Sequence, residues 1–178
     1  MDTLSHALWG YAVLHRDRRL AWWGALAGAA PDILFFVPSR VEAVAKYGWA
    51  GMEAGRDPGV WRANGPPMPP VLLEAYHHYY VYTHSLVLLA VAAAIVYAVG
   101  WRRWTWLALP YALHILMDVP THERYLTQPF FPLSSWTFHG GLSWTDARIF
   151  LPNLAALGVV YAVIWARRRR ASVAERQT

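Results

Sequence analysis

The chain has 178 residues, of which 56% are hydrophobic and only 15% are charged, and its mean hydropathy is +0.20. These values exclude a typical soluble domain and indicate a small integral membrane protein. The absence of cysteine excludes disulfides and thiolate metal sites, so any metal must be bound by imidazole and carboxylate groups. The net charge of +5 does not indicate a nucleic-acid partner, because most arginines lie beside apolar runs, where they orient membrane proteins.

Five apolar segments follow one another along the chain, and they predict an all-α, polytopic membrane protein. They cover residues 3–15, 20–37, 82–100, 104–119 and 147–166. The last four are near spanning length, whereas the first is short and either crosses partly or lies tilted against the others. We therefore predict a single integral membrane domain over residues 1–178, with about five membrane-embedded helices.

Two long connections separate these segments. Residues 38–70 are polar and rich in proline and glycine, which predicts an irregular loop with one short helix around residues 41–47. Residues 120–146 are rich in proline, glycine, serine and tryptophan and also predict a loop. After the last segment, residues 167–178 begin with RRRR and predict a basic tail in the cytoplasm.

The arginines predict how the segments are oriented. Clusters within residues 16–19, 101–103 and 167–170 all face the cytoplasm if five crossings alternate. The N-terminus and both long loops then lie on the non-cytoplasmic side of the inner membrane. The same arrangement places six tryptophans at the cytoplasmic interface, where indole rings prefer to lie. These are Trp22, Trp23, Trp101, Trp104, Trp106 and Trp165.

Five polar residues lie near the non-cytoplasmic ends of the first four segments. They are His6, Asp32, His84, His114 and Asp118. An acid inside a membrane is costly enough that it normally faces a partner, a cavity or an ion. His114 and Asp118 are four residues apart, so both project from one helix face and can bind the same ion. The pattern predicts a site for one or two divalent metal ions, zinc in the first place and otherwise manganese or iron.

Simpler roles remain open for each of these residues. His114 and Asp118 can form a hydrogen-bonded pair that ties two helices together. His6 or His84 alone can be a structural histidine whose ring nitrogens are satisfied by neighbouring groups. Asp32 follows a proline, so it can end one helix or cap the next.

Four motifs in succession give the chain a family resemblance. They are SHALWGYAV with His6, GALAGAAPD with Asp32, YTHSL with His84, and YALHILMD with His114 and Asp118. In this order they resemble the motifs of the YdjM-like membrane-bound metal-dependent hydrolases. The resemblance covers most of the chain and leaves out residues 38–70 and the basic tail. It implies a multi-helix membrane protein, a metal site built from those five residues, and hydrolase activity.

Two positions depart from the family pattern and bear on whether a second metal ion binds. The family often has a second acid two residues after the first, where this chain has Leu34. It also often has a histidine five residues before the histidine of the THS motif, where this chain has Tyr79. The neighbouring His77 or His78 can substitute for that histidine in space, although packing or an interfacial position is the alternative for both.

The loops contribute further candidate groups. His122 and Glu123 follow a proline that ends the fourth segment and turns the chain over the site. Together with Asp118 they are the candidate catalytic residues, with proton transfer as their role. His78 and His139 are candidates for contact with a substrate. Ordinary solvated loop polarity is the alternative for the loop residues.

The sequence lacks the motifs of other hydrolytic mechanisms. It has no glycine-rich phosphate loop, no GxSxG nucleophile and no HExxH helix. We therefore expect a metal-dependent hydrolase whose metal-activated water attacks a phosphoester or other ester. A site at the depth of lipid headgroups favours a lipid or another amphiphilic, lipid-linked substrate, with membrane lipid as the other partner. The alternatives are a non-catalytic metal-binding protein and a haem-binding protein with His84 and His114 as axial ligands.

Overall fold

The structure, a computed structural model, describes residues 1–53 and 67–174. These parts of the chain are helical, with connecting turns and no strand, so the predicted all-α class is confirmed for them. The α-helices are α1 (Thr3–Val13), α2 (Arg18–Glu53), α3 (Pro70–Ala75), α4 (Val81–Thr83), α5 (Leu86–Ala98), α6 (Ala108–Asp118) and α7 (Ala147–Ala174). A π-helical turn (Tyr76–Tyr80) joins α3 to α4, and a 3₁₀ helix (Arg102–Leu107) leads into α6.

Two helices of the described chain are long and apolar enough to cross a membrane. They are α2, over Arg18–Gly51, and α7, over Ala147–Ser172. The segments Pro70–Thr83 and Leu86–Ala98 add a third crossing if they count as one span, although they meet at a bend of 43°. The 11 residues of α1 rise only about 16 Å, roughly half the hydrocarbon thickness of a bilayer. The described residues thus support two or three spans and do not confirm the predicted five.

Helix α2 is longer than the sequence predicts, since it continues through Pro38, where we expected an irregular loop with one short helix around residues 41–47. Its backbone leaves helical geometry at Gly48. Its second half is held against α3 by charged and phenolic groups. Lys46 forms ion pairs with Glu42 at 2.5 Å and with Glu74 at 3.3 Å, and the Tyr47 hydroxyl donates to Glu74 at 3.1 Å. The two contacts with Glu74 join α2 to α3, whereas the pair with Glu42 lies within α2 itself. The rest of the predicted loop, from residue 54 to residue 66, lies outside the described residues.

Helix α7 also extends further than expected, into the predicted basic tail as far as residue 174. Arg168 donates to the Tyr11 hydroxyl at 3.2 Å and to the carbonyl oxygen of His15 at 3.1 Å. The whole arginine run, residues 167–170, is therefore helical, and Arg168 contacts the end of α1. Residues 175–178 of the predicted tail lie outside the described part.

Helices α1 and α2 touch through their backbones at three glycines. A methyl group placed on Gly10 would lie 2.2 Å from the carbonyl oxygen of Gly24. One placed on Gly28 would lie 2.4 Å from the carbonyl oxygen of His6. Close contact between small residues is a common way for membrane helices to associate. It brings the start of α1 directly against the middle of α2, where Asp32 lies.

Residues 120–146 form the irregular connection that the sequence predicts, and this loop is fastened to two helices. The Leu142 amide donates to the carbonyl oxygen of Pro120, just after α6, at 3.1 Å. The Leu86 amide, at the start of α5, donates to the carbonyl oxygen of Pro129 at 2.8 Å. The loop therefore bridges the end of α6 and the beginning of α5.

Candidate metal centre

His84 lies in the break between α4 and α5. The chain leaves helical geometry there, and Ser85 starts α5 as its N-cap by accepting from the Leu88 amide at 3.1 Å. The His84 ring stacks on Tyr80, with centroids 3.8 Å apart. Its Nδ1 lies 3.2 Å from the carbonyl oxygen of Tyr80 and 2.9 Å from the hydroxyl of Thr83. Nδ1 is thus directed at its own helix, and Nε2 points away from it.

His114 projects from α6 and is fixed in a similar way. Its Nδ1 lies 2.6 Å from the carbonyl oxygen of Gly28, and its Nε2 lies 3.2 Å from the Nε2 of His84. A carbonyl oxygen only accepts, so in the neutral rings we assign the proton of both histidines to Nδ1. The Thr83 hydroxyl is consistent with this assignment, because it donates to the Tyr79 carbonyl and can accept from His84. Two Nε2 lone pairs therefore face each other.

Two carboxylates complete this group of acceptors. Oδ2 of Asp118 lies 3.1 Å from Nε2 of His114 and 3.5 Å from Nε2 of His84. Oδ1 of Asp32 lies 3.7 Å and 4.0 Å from the same two nitrogens. The four residues are buried, and their four candidate ligand atoms all lie within 4.8 Å of one another. We call Asp32, His84, His114 and Asp118 the acceptor cluster.

The acceptor cluster has the composition and spacing of a cation site. Four lone-pair atoms without a hydrogen between them repel one another and are costly to bury, unless a cation or protons lie among them. Four ligands at the usual zinc distances of about 2.0–2.1 Å in a tetrahedron stand about 3.3 Å apart. The separations of 3.1–4.0 Å measured between the nitrogens and oxygens of the cluster bracket that value. The cluster can hold a metal ion.

The second oxygen of each carboxylate is held by other side chains. Oδ2 of Asp32 accepts from the Thr3 hydroxyl at 2.6 Å. Oδ1 of Asp118 lies 3.0 Å from Nε2 of His6 and contacts the N-terminal ammonium of Met1. Oδ2 of Asp118, by contrast, is buried and has no hydrogen-bond partner within the described part of the chain. One oxygen of Asp118 is thus oriented by donors, and the other is left directed at the cluster.

His6 lies beside the acceptor cluster without being one of its four residues. Its ring stacks on the ring of His114 with centroids 3.6 Å apart, and its Nε2 is the partner of Asp118 described above. Its Nδ1 is buried and, among the described residues, has no hydrogen-bond partner. The structure therefore brings all five predicted ligands into one buried group, in which His6 contacts the cluster through Asp118. A direct bond from His6 to a metal stays a prediction.

The sequence model of the YdjM inner membrane protein family matches residues 1–176, nearly the whole chain. The chain belongs to this family. The family resemblance seen in the four motifs is thereby confirmed, and so is the assignment to the inner membrane. No curated protein and no solved structure matches the chain.

The two predicted loop residues nearest to the cluster of this YdjM family member have different surroundings. Nδ1 of His122 lies 3.2 Å from the carbonyl oxygen of Asp118 and 3.6 Å from its Oδ1. Burial lowers the pKa of His122 to about 4 against the opposing effect of the Asp118 carboxylate, so the ring is neutral at neutral pH. Oε1 of Glu123 accepts from the Ser143 amide at 3.2 Å. His122 therefore lies against the cluster, whereas this contact of Glu123 is made within the loop.

The two predicted substrate-binding histidines of the YdjM family member lie on the surface. His78 is 53% exposed, and its Nδ1 lies 3.5 Å from Glu42. His139 is exposed, with its Nε2 3.0 Å from the hydroxyl of Thr137. These contacts lie outside the acceptor cluster. A role of either residue with a substrate stays a prediction.

Sequence reasoning missed the groups that orient the ligands. Thr3, Tyr80 and Gly28 each contact a cluster residue, through a hydroxyl, an aromatic ring and a backbone carbonyl. Tyr80 lies four residues before His84, a spacing that places both on one helix face and was available as a signal. Nothing in the local sequence marks Thr3 or Gly28, because their partners lie 29 and 86 residues away.

Proposed function

We propose that this chain is a metal-dependent hydrolase of the inner membrane that cleaves a phosphoester or other ester of a lipid or amphiphilic substrate. The observation that carries the proposal is the acceptor cluster, in which two imidazole nitrogens and two carboxylate oxygens meet without a donor among them. The cluster comes from α2, the helix break at His84, and α6. A divalent cation is the group that such a set of ligands fits best.

We infer that the cation is zinc, with manganese or iron as alternatives, and that one ion is bound. Two nitrogen and two oxygen ligands without sulfur suit these metals. The positions at which the family often has extra ligands carry groups that do not serve a metal here. Leu34 is apolar and 53% exposed, and Tyr79 is hydrogen-bonded to Glu42. Both observations favour one ion over two.

The residues of the cluster and its neighbours have separable roles in this reaction. A bound divalent cation supplies Lewis acidity, which lowers the pKa of a water molecule and stabilises developing negative charge. Thr3 holds Asp32 by one oxygen, and His6 holds Asp118 by one oxygen, so the orientation of both carboxylates is fixed before substrate arrives. His122 lies next to Asp118, and its pKa of about 4 makes it a weak base at neutral pH; Asp32, Asp118 and Glu123 are the other candidate bases.

The side of the membrane and the class of substrate are further parts of the proposal. The three arginine clusters favour a position of the acceptor cluster towards the non-cytoplasmic face. A site at that depth is reached most directly by a molecule that is itself anchored in the bilayer. This favours a phospholipid or a lipid-linked phosphate over a water-soluble ester.

Metal analysis and a substrate screen test the proposal together. Purified protein should contain about one equivalent of a divalent metal, and metal-loaded protein should hydrolyse at least one of three classes: phospholipids, lipid phosphates and simple phosphoesters. Asp118→Asn, which keeps the size of the side chain and removes its charge, should lose activity far more than folding. Asp17→Asn, the same chemical change at an exposed residue outside the cluster, is the matched control. If metal-loaded protein hydrolyses none of the three classes, the proposed hydrolase activity is refuted.

A non-catalytic metal centre is the second candidate, and the burial of the cluster favours it. All four residues are at most 6% exposed, and four protein ligands suffice to close a structural site. In that case Asp118→Asn lowers thermal stability in parallel with metal loss, because the free energy of metal binding is then folding free energy. A haem is disfavoured, because the Nε2 atoms of His84 and His114 are 3.2 Å apart with carboxylate oxygens beside them. That spacing leaves no room for a macrocycle between the two rings.

A further inference from the structure

A large apolar cavity begins about one helical turn from the acceptor cluster, at Tyr111. Its volume is about 650 Å³, within the range of roughly 300–1,000 Å³ that is usual for small-molecule sites. It lies between α2, α5, the 3₁₀ helix and α6 and is open on one side. Alanines from three of these elements create the space, among them Ala27, Ala93 and Ala108, and Trp23 and Trp104 form part of the wall.

Residues in the wall of this cavity contact, or are chain neighbours of, residues that hold the cluster. Tyr111, which lines the cavity, precedes His114 by three residues on α6, so the two lie on one helix face. The Tyr111 hydroxyl donates at 2.8 Å to the carbonyl oxygen of Thr83, the residue before His84. On α2, the cavity residue Ala27 is the neighbour of Gly28, whose carbonyl oxygen contacts His114. One end of the cavity is therefore about one helical turn from the cluster.

The cavity extends from Tyr111 along α6 to Trp104 in the 3₁₀ helix, a rise of roughly 10–14 Å. Both hydroxyl groups on its wall already donate to backbone carbonyls, Tyr111 to Thr83 and Thr105 to Arg102. A polar guest would lose its hydration and find these two donors occupied. An elongated, apolar space of this kind fits a hydrocarbon chain.

We propose that this cavity binds one hydrocarbon chain of the lipid substrate, whose ester group lies at the acceptor cluster. This inference rests on the proposed hydrolase function and defines its substrate class as a long-chain ester. The chain is held by burial of its methylene groups between α2, α5 and α6, and the cavity sets the position of the ester relative to Asp118 and His114. Chain length, and not only the head group, then determines how well a substrate is used.

Two neighbouring alanines on α5 provide a matched pair of variants. Ala93 lines the cavity, whereas Ala94, the next residue, is exposed and does not. Metal-loaded wild type, Ala93→Phe and Ala94→Phe are assayed with hexadecyl phosphate and butyl phosphate. In Ala93→Phe the ratio of kcat/KM for the long chain to that for the short chain should fall about tenfold, as expected for displacing two buried methylene groups. The ratio in Ala94→Phe should equal that of wild type. Equal ratios in all three proteins overturn the proposal.

A binding measurement that needs no turnover keeps the test decisive. Wild-type protein is photo-crosslinked with hexadecyl phosphate that carries a diazirine at mid-chain, and the sites are mapped by mass spectrometry. Labelling should concentrate on the peptides around Ala93 and Tyr111, and unlabelled hexadecyl phosphate should compete where butyl phosphate does not. Equal labelling by a phosphatidylcholine with the same diazirine would mean that ordinary bilayer lipid fills the cavity, which overturns the proposal. Specific labelling without hydrolysis of any ester refutes the proposed function and leaves a chain-binding site.

Discussion

Replacing Gly28 by alanine tests how closely the metal centre depends on the contact between α1 and α2. The new methyl group would lie 2.4 Å from the carbonyl oxygen of His6, whereas ordinary contacts of this kind begin at 3.4 Å. The obstacle is backbone, so the two helices must separate by about 1 Å at this point. Helix α1 carries Thr3 and His6, the groups that orient Asp32 and Asp118, and both move with it.

The expected magnitude follows from that displacement. Overpacking of this kind costs about 1–3 kcal/mol of stability, and a misplacement of about 1 Å near reacting groups costs on the order of 10²-fold in rate. Gly28→Ala should therefore bind metal more weakly and hydrolyse more slowly than wild type, with a modest loss of thermal stability. Metal titration in detergent, followed by the shift in melting temperature, measures the metal affinity and the stability, and the hydrolysis assay measures the rate.

Gly158 offers a matched control on α7, because a methyl group there meets nothing within 4 Å. Gly158→Ala makes the same chemical change in another helix of the membrane domain and should leave metal affinity at the wild-type value. If Gly28→Ala binds metal as tightly as Gly158→Ala does, the oriented carboxylates do not depend on the contact between α1 and α2, and the reasoning is wrong.

Three further predictions concern the ligands, the ion and the topology. Thr3→Val removes the hydroxyl that donates to Asp32 and should weaken metal affinity about 10–100-fold, whereas Thr3→Ser should restore it. Equal metal affinities of wild type and Thr3→Val would show that Thr3 does not orient Asp32. Chelation of the metal should lower the melting temperature of the wild type, and adding back zinc should restore it. Without a cation, the buried acceptor atoms of the cluster repel one another. Cysteine introduced for Ser134 should react with an impermeant label from the non-cytoplasmic side, and cysteine introduced for Arg18 should not; the opposite pattern reverses the orientation.

The positions of the candidate ligands could be predicted from the sequence, since each is a polar residue in an apolar run. His114 and Asp118 share a helix face through their spacing of four, a purely local relation. The arginine clusters then placed all five residues near one face of the membrane. What the sequence could not distinguish is which residues form the cluster and which support it. His6 contacts Asp118 across 112 residues, and only the packing of α1 on α2 and α6 brings them together.

The helix boundaries were less predictable, for two physical reasons. Pro38 has a low intrinsic propensity for a helix interior, yet α2 continues past it, and the part beyond Pro38 contacts Glu74 on α3 through Lys46 and Tyr47. His84 lies in a helix break, although the apolar sequence around it predicts one continuous helix. The loop contributes to that break, because the Ser85 hydroxyl donates to the carbonyl oxygen of Phe131. In each case the contacting residue is remote in sequence.

The hydrogen bond between His6 and Asp118 also determines when the site can form during biosynthesis. The two residues are 112 positions apart, so at the usual 5–20 residues per second Asp118 leaves the ribosome on the order of ten seconds after His6. For most of that interval Asp32 has Thr3 as a partner but neither His84 nor His114 beside it. An acid at that depth without its imidazole neighbours is costly, so α2 should stay in the insertion machinery until α6 arrives. Nascent chains that end before His114 should therefore crosslink to the translocon, and chains that extend beyond Asp118 should be released into the bilayer.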